Sequence, residues 1–405
     1  MAEQHQQQSS SSSSSSGSSG WGNALPEALS EVLDKLFHVS DCIRFGTVCE
    51  SWRKATANHK QKRIQNLDKQ PPMSLLIPHP DDYYAYASTG FFKLNGVESK
   101  LYNVGEDRLY KVNLERLILG EEAVAEATVE VRILGSSHGW LAVQKRDDQE
   151  SFILCNPFNR KRLEIQGTPK GLGKVHKIVL SCDPSLNPDN LVVAALLSGR
   201  EGGPIGGPER VMIKSGQEPW VSVDTVMMGE EAFGVYPSYV ADILFHQGFL
   251  YAVDPYGCLI AVDCSGGGET GSSDGGVPAV GVVLQRRPIK RSQPDRNVLA
   301  ASSTGILLLM VPAPYVFGEY DTYRLVKHKR TGEGGAGEAE ETAAWEKGSP
   351  NPDETILVGM NDACLCIQNF DPDWSHRQAS TVELGFNGRK DIQELAMFSP
   401  PFYWK

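Results

Sequence analysis

The chain has 405 residues, 40% hydrophobic and 22% charged, with a formal net charge of −11. That length fits a small module plus one large domain, and the composition is ordinary for a globular protein. The acidic balance disfavours nonspecific nucleic-acid binding, no apolar run approaches the ~18 residues of a membrane-spanning helix, and eight cysteines scattered over so long a chain read as reduced thiols.

Residues 1–22 are Gln- and Ser-rich, with a Ser run from Ser9 to Ser16. Such a segment cannot bury enough apolar surface to offset its ordering entropy, so it reads as a disordered tail. It has neither the basic nor the apolar region of a signal peptide. With no Asn-x-Ser/Thr sequon in the chain, the expected location is the nucleus and/or the cytoplasm. Two basic clusters, Lys60-Gln61-Lys62-Arg63 and Arg286-Arg287-Pro288-Ile289-Lys290-Arg291, read as solvated surface charge or as a nuclear localisation signal.

Residues 23–60 carry three helix signals. Pro26 suits a first helical turn, where its missing N–H costs nothing, and Glu27 and Glu31 suit the helix dipole. Leu25, Leu29, Val32, Leu33 and Leu36 recur at three- and four-residue spacing and make one apolar stripe. Ser40 or Asp41 can cap a second helix, whose buried residues would be Ile43, Phe45 and Val48. Ser51 can cap a third, carrying Trp52. About thirty residues are too few to bury a core alone, so the segment reads either as a docking device or as the helical hairpin that opens an ordinary domain.

The order Leu25-Pro26-x-x-Leu29, Val32-Leu33, Leu36, Asp41, Arg44 and Val48-Cys49-x-x-Trp52-Arg53 resembles the F-box. The resemblance implies binding to a Skp-type adaptor and, through it, a cullin-RING ubiquitin ligase. It assigns Leu25, Pro26, Leu29, Val32, Leu33, Leu36, Ile43, Val48 and Trp52 to forming or supporting the adaptor-binding surface. Three departures imply weaker docking: Phe37-His38 at the first bend, Cys42 in place of a larger aliphatic, and Gly46 inside helix two, where Gly costs about 1 kcal/mol relative to Ala.

Residues 61–72 read as a linker, with Pro71-Pro72 marking its end. From 73 to 405 short β-rich runs alternate with turn residues: Met73–Ile77, Thr128–Leu134, Trp140–Gln144, Phe152–Cys155, Val175–Leu180, Leu191–Leu197, Phe249–Val253, Leu259–Val262, Val280–Leu284, Ile306–Val311, Thr355–Val358 and Leu365–Gln368. A glycine followed by a large apolar residue opens a strand at Gly90-Phe91, Gly139-Trp140, Gly248-Phe249 and Gly305-Ile306. These glycines lie 49, 109 and 57 residues apart, a period near fifty if the middle interval is doubled. The pattern predicts a β-propeller, with a β-sandwich as the alternative. The fold class is therefore α+β multidomain: a small three-helix module, then an all-β propeller-like domain.

A second resemblance rests on order. Ser137-His138-Gly139-Trp140-Leu141, Asn156-Pro157-Phe158, Lys177-Ile178-Val179-Leu180-Ser181 with Asp183-Pro184, Phe245 to Asp254, Tyr323-Arg324-Leu325-Val326, Trp345 and Thr355 to Gly359 are similar to the plant domain of unknown function 295, a kelch-like propeller type that follows an F-box. Residues 327–344, Gly202–Pro208 and Ser265–Gly276 read as disordered loops.

Motifs for chemistry are scarce. Cys364-x-Cys366 lacks the further ligands a zinc site needs, so core cysteines are the better reading, and no metal or other cofactor is expected. His138 and His246 read as turn positions or as channel-lining residues. There is no phosphate loop and no His-Glu-x-x-His. Asp81-Asp82 beside Tyr83-Tyr84 reads as an exposed loop or a partner-binding edge, and the aromatic end Pro400 to Trp404 as closing the last blade. The chain is thus expected to be a non-catalytic subunit of an SCF-type ubiquitin ligase that recruits an unknown target protein. The alternatives are a scaffold propeller with a vestigial F-box and a propeller enzyme whose catalytic residues are dispersed.

Overall fold

The computed structural model describes residues 25–36, 39–64, 73–78, 91–94, 99–103, 108–120, 129–148, 150–166, 174–197, 210–216, 219–223, 240–255, 257–264, 280–284, 297–302, 304–312, 320–330, 340–348, 354–358, 364–368, 381–383 and 392–398. It divides into two units, Met1–Gln65 and Asn66–Lys405.

The first unit holds α1 (Pro26–Lys35), α2 (Val39–Thr47) and α3 (Glu50–Ile64). Pro26 stands in the first turn of α1, as its missing donor requires. Ser40 and Asp41 lie within the first turn of α2, and Ser51 within that of α3, so none of them is a helix cap. Leu29, Leu33 and Phe45 form the core, with Leu36, Trp52 and Ala55 packed on it. The Phe45 and Trp52 rings stack with centroids 4.1 Å apart, and His59 Nε2 lies 2.8 Å from Asp34 Oδ1, tying α3 to α1.

The second unit is a set of sheets, with the short helix α4 (Leu114–Leu119) among them. In the first sheet β24 (Ile392–Phe398) pairs with β1 (Met73–Pro78), followed by β3 (Ser99–Asn103) and β4 (Arg108–Val112). The second runs β2 (Phe92–Leu94), β5 (Val129–Ser137), β6 (Trp140–Lys145), β7 (Ser151–Cys155), β8 (Arg162–Gln166). The third is β9 (Val175–Leu180), β10 (Val192–Leu197), β11 (Arg210–Ser215), β12 (Val221–Val223). The fourth is β13 (Asp242–His246), β14 (Phe249–Val253), β15 (Leu259–Asp263), β16 (Val280–Leu284). The fifth is β17 (Val298–Ala301), β18 (Leu307–Pro312), β19 (Tyr320–Arg330), β20 (Glu340–Lys347). The sixth is β22 (Cys364–Gln368), β21 (Glu354–Val358), β23 (Thr381–Glu383).

One strand from each sheet contacts the next in a closed ring: β5, β9, β13, β17, β22, β24 and back to β5. That is the radial arrangement of a propeller, which avoids long exposed sheet edges. The ring closes covalently distant segments, because β24 pairs antiparallel with β1, Met73 opposite Phe398 and Pro78 opposite Ile392.

Strand alternation explains the stacking. In β10, Val193, Ala195 and Leu197 join the core toward the second sheet, and Val192, Ala194 and Leu196 join the core toward the fourth. In β6 and β7, Leu141, Val143, Ile153 and Cys155 face one core, and Trp140, Ala142, Phe152 and Leu154 the other. Both faces are buried, so these strands read as continuous apolar runs. At the β5 bulge Gly135 lies against the third sheet so closely that a Cβ would sit 2.3 Å from the Ile178 carbonyl oxygen.

Each of the twelve expected segments holds a strand; some run longer, while those expected from Leu191 and Ile306 begin one residue later, and Thr128 lies outside the described residues. The glycine repeat also has a structural meaning. Gly139, Gly248 and Gly305 occupy the β5–β6, β13–β14 and β17–β18 turns of the second, fourth and fifth sheets, each at positive φ. The doubled interval is the third sheet, which uses the longer Ser181–Leu191 connection instead; Gly90 lies outside the described residues. One expectation is corrected. Residues 327–330 and 340–344, read as loop, are paired strand, with Val326 opposite Ala344 and Arg330 opposite Glu340. Tyr323, Leu325, Ala343 and Trp345 anchor this hairpin in the blade core, and opposite charges fall at facing register positions beyond it.

Candidate functional site

The nine residues singled out in the helical unit divide into two groups. Leu29 and Leu33 are core, and Leu36 and Trp52 are half-buried against it. Leu25 is 70% exposed, Val48 is 61% exposed, and Pro26 and Val32 are also exposed. Ile43 lies in α2, with its side chain outside the described residues. Val48, expected to be buried, is a correction: α2 stops at Thr47, and Val48 begins the turn, its N–H donating to the Phe45 carbonyl (3.2 Å).

The division follows from helix geometry. At about 100° per residue, Leu29 and Leu33 lie on one edge of the α1 stripe, Leu25 and Val32 on the other, with Leu36 between them. One edge builds the unit, and the other is presented to solvent. Phe37 and His38 lie outside the described residues. Cys42 is buried, its Sγ directed at the Leu36 carbonyl (3.8 Å). Gly46 is a packing position: a Cβ there would meet Thr56 Oγ1 at 3.3 Å, and that hydroxyl is held by its bond to the Trp52 carbonyl (2.9 Å).

The turns of the propeller form a second candidate surface, and they bind each other. His138 Nε2 donates to the Leu180 carbonyl (3.2 Å), Ser137 Oγ accepts from Leu180 N–H (3.3 Å), and Trp140 Nε1 donates to Asp183 Oδ1 (2.9 Å). His246 Nε2 donates to the Gly305 carbonyl (2.9 Å). Both histidines join neighbouring sheets, His138 from the turn itself and His246 from the last position of β13, just before the turn. The same connections carry exposed Leu186, Phe249 and Ile306.

Asp242 was not singled out in the sequence. It is 2% exposed, and its carboxylate accepts from Lys177 Nζ (2.5 Å) on β9, from its neighbour Ile243 N–H (2.8 Å) and from Leu299 N–H (2.7 Å) on β17. One side chain thus joins three strands of the ring. An isolated Asp in a strand gives no such signal, because its partners lie 65 and 57 residues away.

Thiol chemistry is suppressed in the core. Burial pushes Cys155 up to about 12 and Cys264 up to about 11. Cys364 and Cys366 occupy alternate positions of β22, and no cluster able to hold a metal occurs among the described residues. Asp81 to Tyr84, the Arg286–Arg291 cluster and Pro400 to Trp404 lie outside the described residues.

A family model described as the KIB1-4 beta-propeller matches residues 101–373. Among solved structures, the β-propeller domain of Cps50 (Swd1) from Myceliophteria thermophila matches at 11% identity and a TM-score of 0.34, over 66% of this chain and 70% of that one. Hsv2 from Kluyvelomyces marxianus matches at 10% identity and a TM-score of 0.25, over 62% of this chain and 73% of that one. No curated protein matches this chain.

Proposed function

The chain belongs to the KIB1-4 β-propeller family, and from that premise we propose that it is the substrate-recognition subunit of an SCF-type (Skp-cullin-F-box) E3 ubiquitin ligase. The helical unit is the F-box that binds a Skp-type adaptor, and the propeller, of the type also found in the plant domain of unknown function 295, recruits a target protein. The observation that carries this reading is the divided stripe of α1. Leu29 and Leu33 hold the unit together, while Leu25, Pro26, Val32 and Val48 are exposed. Exposed apolar side chains grouped on so small a unit suit a protein partner.

The subunit does no bond chemistry in this reading. It holds a target lysine near a charged ubiquitin-conjugating enzyme, which raises effective concentration. The test is co-purification of the full chain with a Skp-type adaptor, beside a Leu25→Ala/Pro26→Ala control. Retention of the adaptor by the unmutated chain and its loss in the control supports the reading. No retention by either overturns it and leaves a propeller that binds its partner without ubiquitin transfer.

A further inference from the structure

The second sheet holds a buried cation. Arg132, on β5, is 7% exposed. Its Nε and Nη2 both donate to Gln144 Oε1, the former at 2.9 Å, and its guanidinium carbon lies 5.1 Å from the Phe91 ring centroid. Among the described residues no carboxylate pairs with it. Gln144 engages Nε and Nη2, which leaves Nη1 as the arm of the fork that it does not hold. Burial alone pulls this guanidinium down to about 10. Desolvating a charge is costly unless an opposite charge compensates for it.

The neighbourhood is cationic. Strand register puts Phe91, Arg132 and Gln144 in one row across β2, β5 and β6, and Lys93, Glu130 and Arg146 in the next row on the same face. Arg146 also approaches the Phe91 ring, at 6.0 Å. Glu130 is shared by Arg146 and, at 4.0 Å, Lys93. Among the described residues of these two rows, three cations stand against one carboxylate, an excess of two positive charges.

We propose that Arg132, Arg146 and Lys93 form a phosphate-binding subsite of the propeller. The guanidinium fork matches phosphate oxygens in geometry, and a phosphate carrying about −1.5 to −2 charge neutralises the excess. The phosphate belongs either to a small free compound or to a phosphorylated side chain of a bound protein. The subsite is independent of the helical unit, so its failure leaves the adaptor question untouched.

The test uses the full chain at constant ionic strength. Inorganic phosphate, a phosphoserine tripeptide and its unphosphorylated form are titrated against a chloride reference, with melting temperature and calorimetric affinity as readouts. Phosphate and the phosphopeptide raise the melting temperature above chloride, and the unphosphorylated peptide does not. Arg146→Gln, at an exposed position, folds normally and weakens binding about tenfold, the worth of one charge-assisted hydrogen bond. Arg132→Met abolishes the phosphate effect; should Arg132→Met fail to fold, Arg146→Gln and Lys93→Gln decide. Tighter binding of the phosphopeptide than of free phosphate assigns the group to a protein segment, and equal binding assigns it to a small compound. Phosphate acting no better than chloride, or acting equally on Arg146→Gln and Lys93→Gln, overturns the proposal.

Discussion

The propeller and the helical unit bury their apolar residues in opposite ways. In β6, β7 and β10 successive residues enter two different cores, so neither face of these strands is left to water. In α1 the stripe is split, with Leu33 1% exposed and Leu25 70% exposed. The propeller closes its ring and exposes apolar residues such as Leu186, Phe249 and Ile306 at its connections, whereas the helical unit leaves one edge of its own stripe in solvent. Under the proposed function the unit that closes on itself is the platform and the other is the docking element.

The contrast can be broken most forcibly at Asp242. Replacing it with Ala strands the half-buried Lys177 and the Leu299 N–H, and the expected loss is about 3–5 kcal/mol. Denaturant unfolding of the purified chain should show a lower midpoint for the propeller transition. An unchanged midpoint would mean that the three-strand junction contributes nothing to ring stability.

A paired substitution sharpens the comparison within α1. Leu33→Ala removes a core side chain and should cost the helical unit roughly 2–5 kcal/mol. Leu25→Ala, on the exposed edge, should change stability by less than about 0.5 kcal/mol. Amide exchange across α1 to α3 reads both. Equal protection losses in the two variants would erase the division between building and presenting residues.

Alkaline pH probes the propeller core. The Cys155 thiol is held near 12 in the fold, against 9.0 for a free thiol. Above about pH 9 the unfolded chain therefore sheds a proton that the folded chain keeps, and stability falls as pH rises toward 12. The slope is at most about 1.4 kcal/mol per pH unit, and Cys155 adds no pH dependence below about pH 8. Cys264, partly exposed, adds less in the same direction. The stability difference between the unmutated chain and Cys155→Ala, measured by denaturation at pH 8 and pH 10.5 under reductant, should shrink at the higher pH; a constant difference contradicts the burial argument.

Much of the fold was legible because it is written in local patterns. The short apolar runs Trp140–Gln144 and Leu191–Leu197 mark strands buried on both faces, and Gly139 and Gly248 mark tight turns, since both need positive φ. The missing repeat was legible only as a gap, because Ser181–Leu191 makes the same connection without a glycine. Other features depend on juxtaposition between blades. Asp242 meets Lys177 across 65 residues, and Trp345 Nε1 reaches the Gly257 carbonyl across 88 (2.7 Å); within one blade, Arg132 is flanked by Phe91 and Gln144 only once the strands pair. For the helical unit, spacing revealed the stripe but not which edge faces solvent. That was set by where Phe45 and Trp52 pack, and Val48 was misplaced for the same reason.

The central claim is that the exposed edge of α1, with Val48, takes up a Skp-type adaptor. It is tested most directly by calorimetric titration of purified adaptor into the full chain and into its Leu25→Ala/Val48→Ala variant. The account predicts saturable binding to the unmutated chain and at least a tenfold weaker affinity for the variant, with its unfolding midpoint unchanged. Absence of heat from the unmutated chain, or equal affinity for a folded variant, would contradict it.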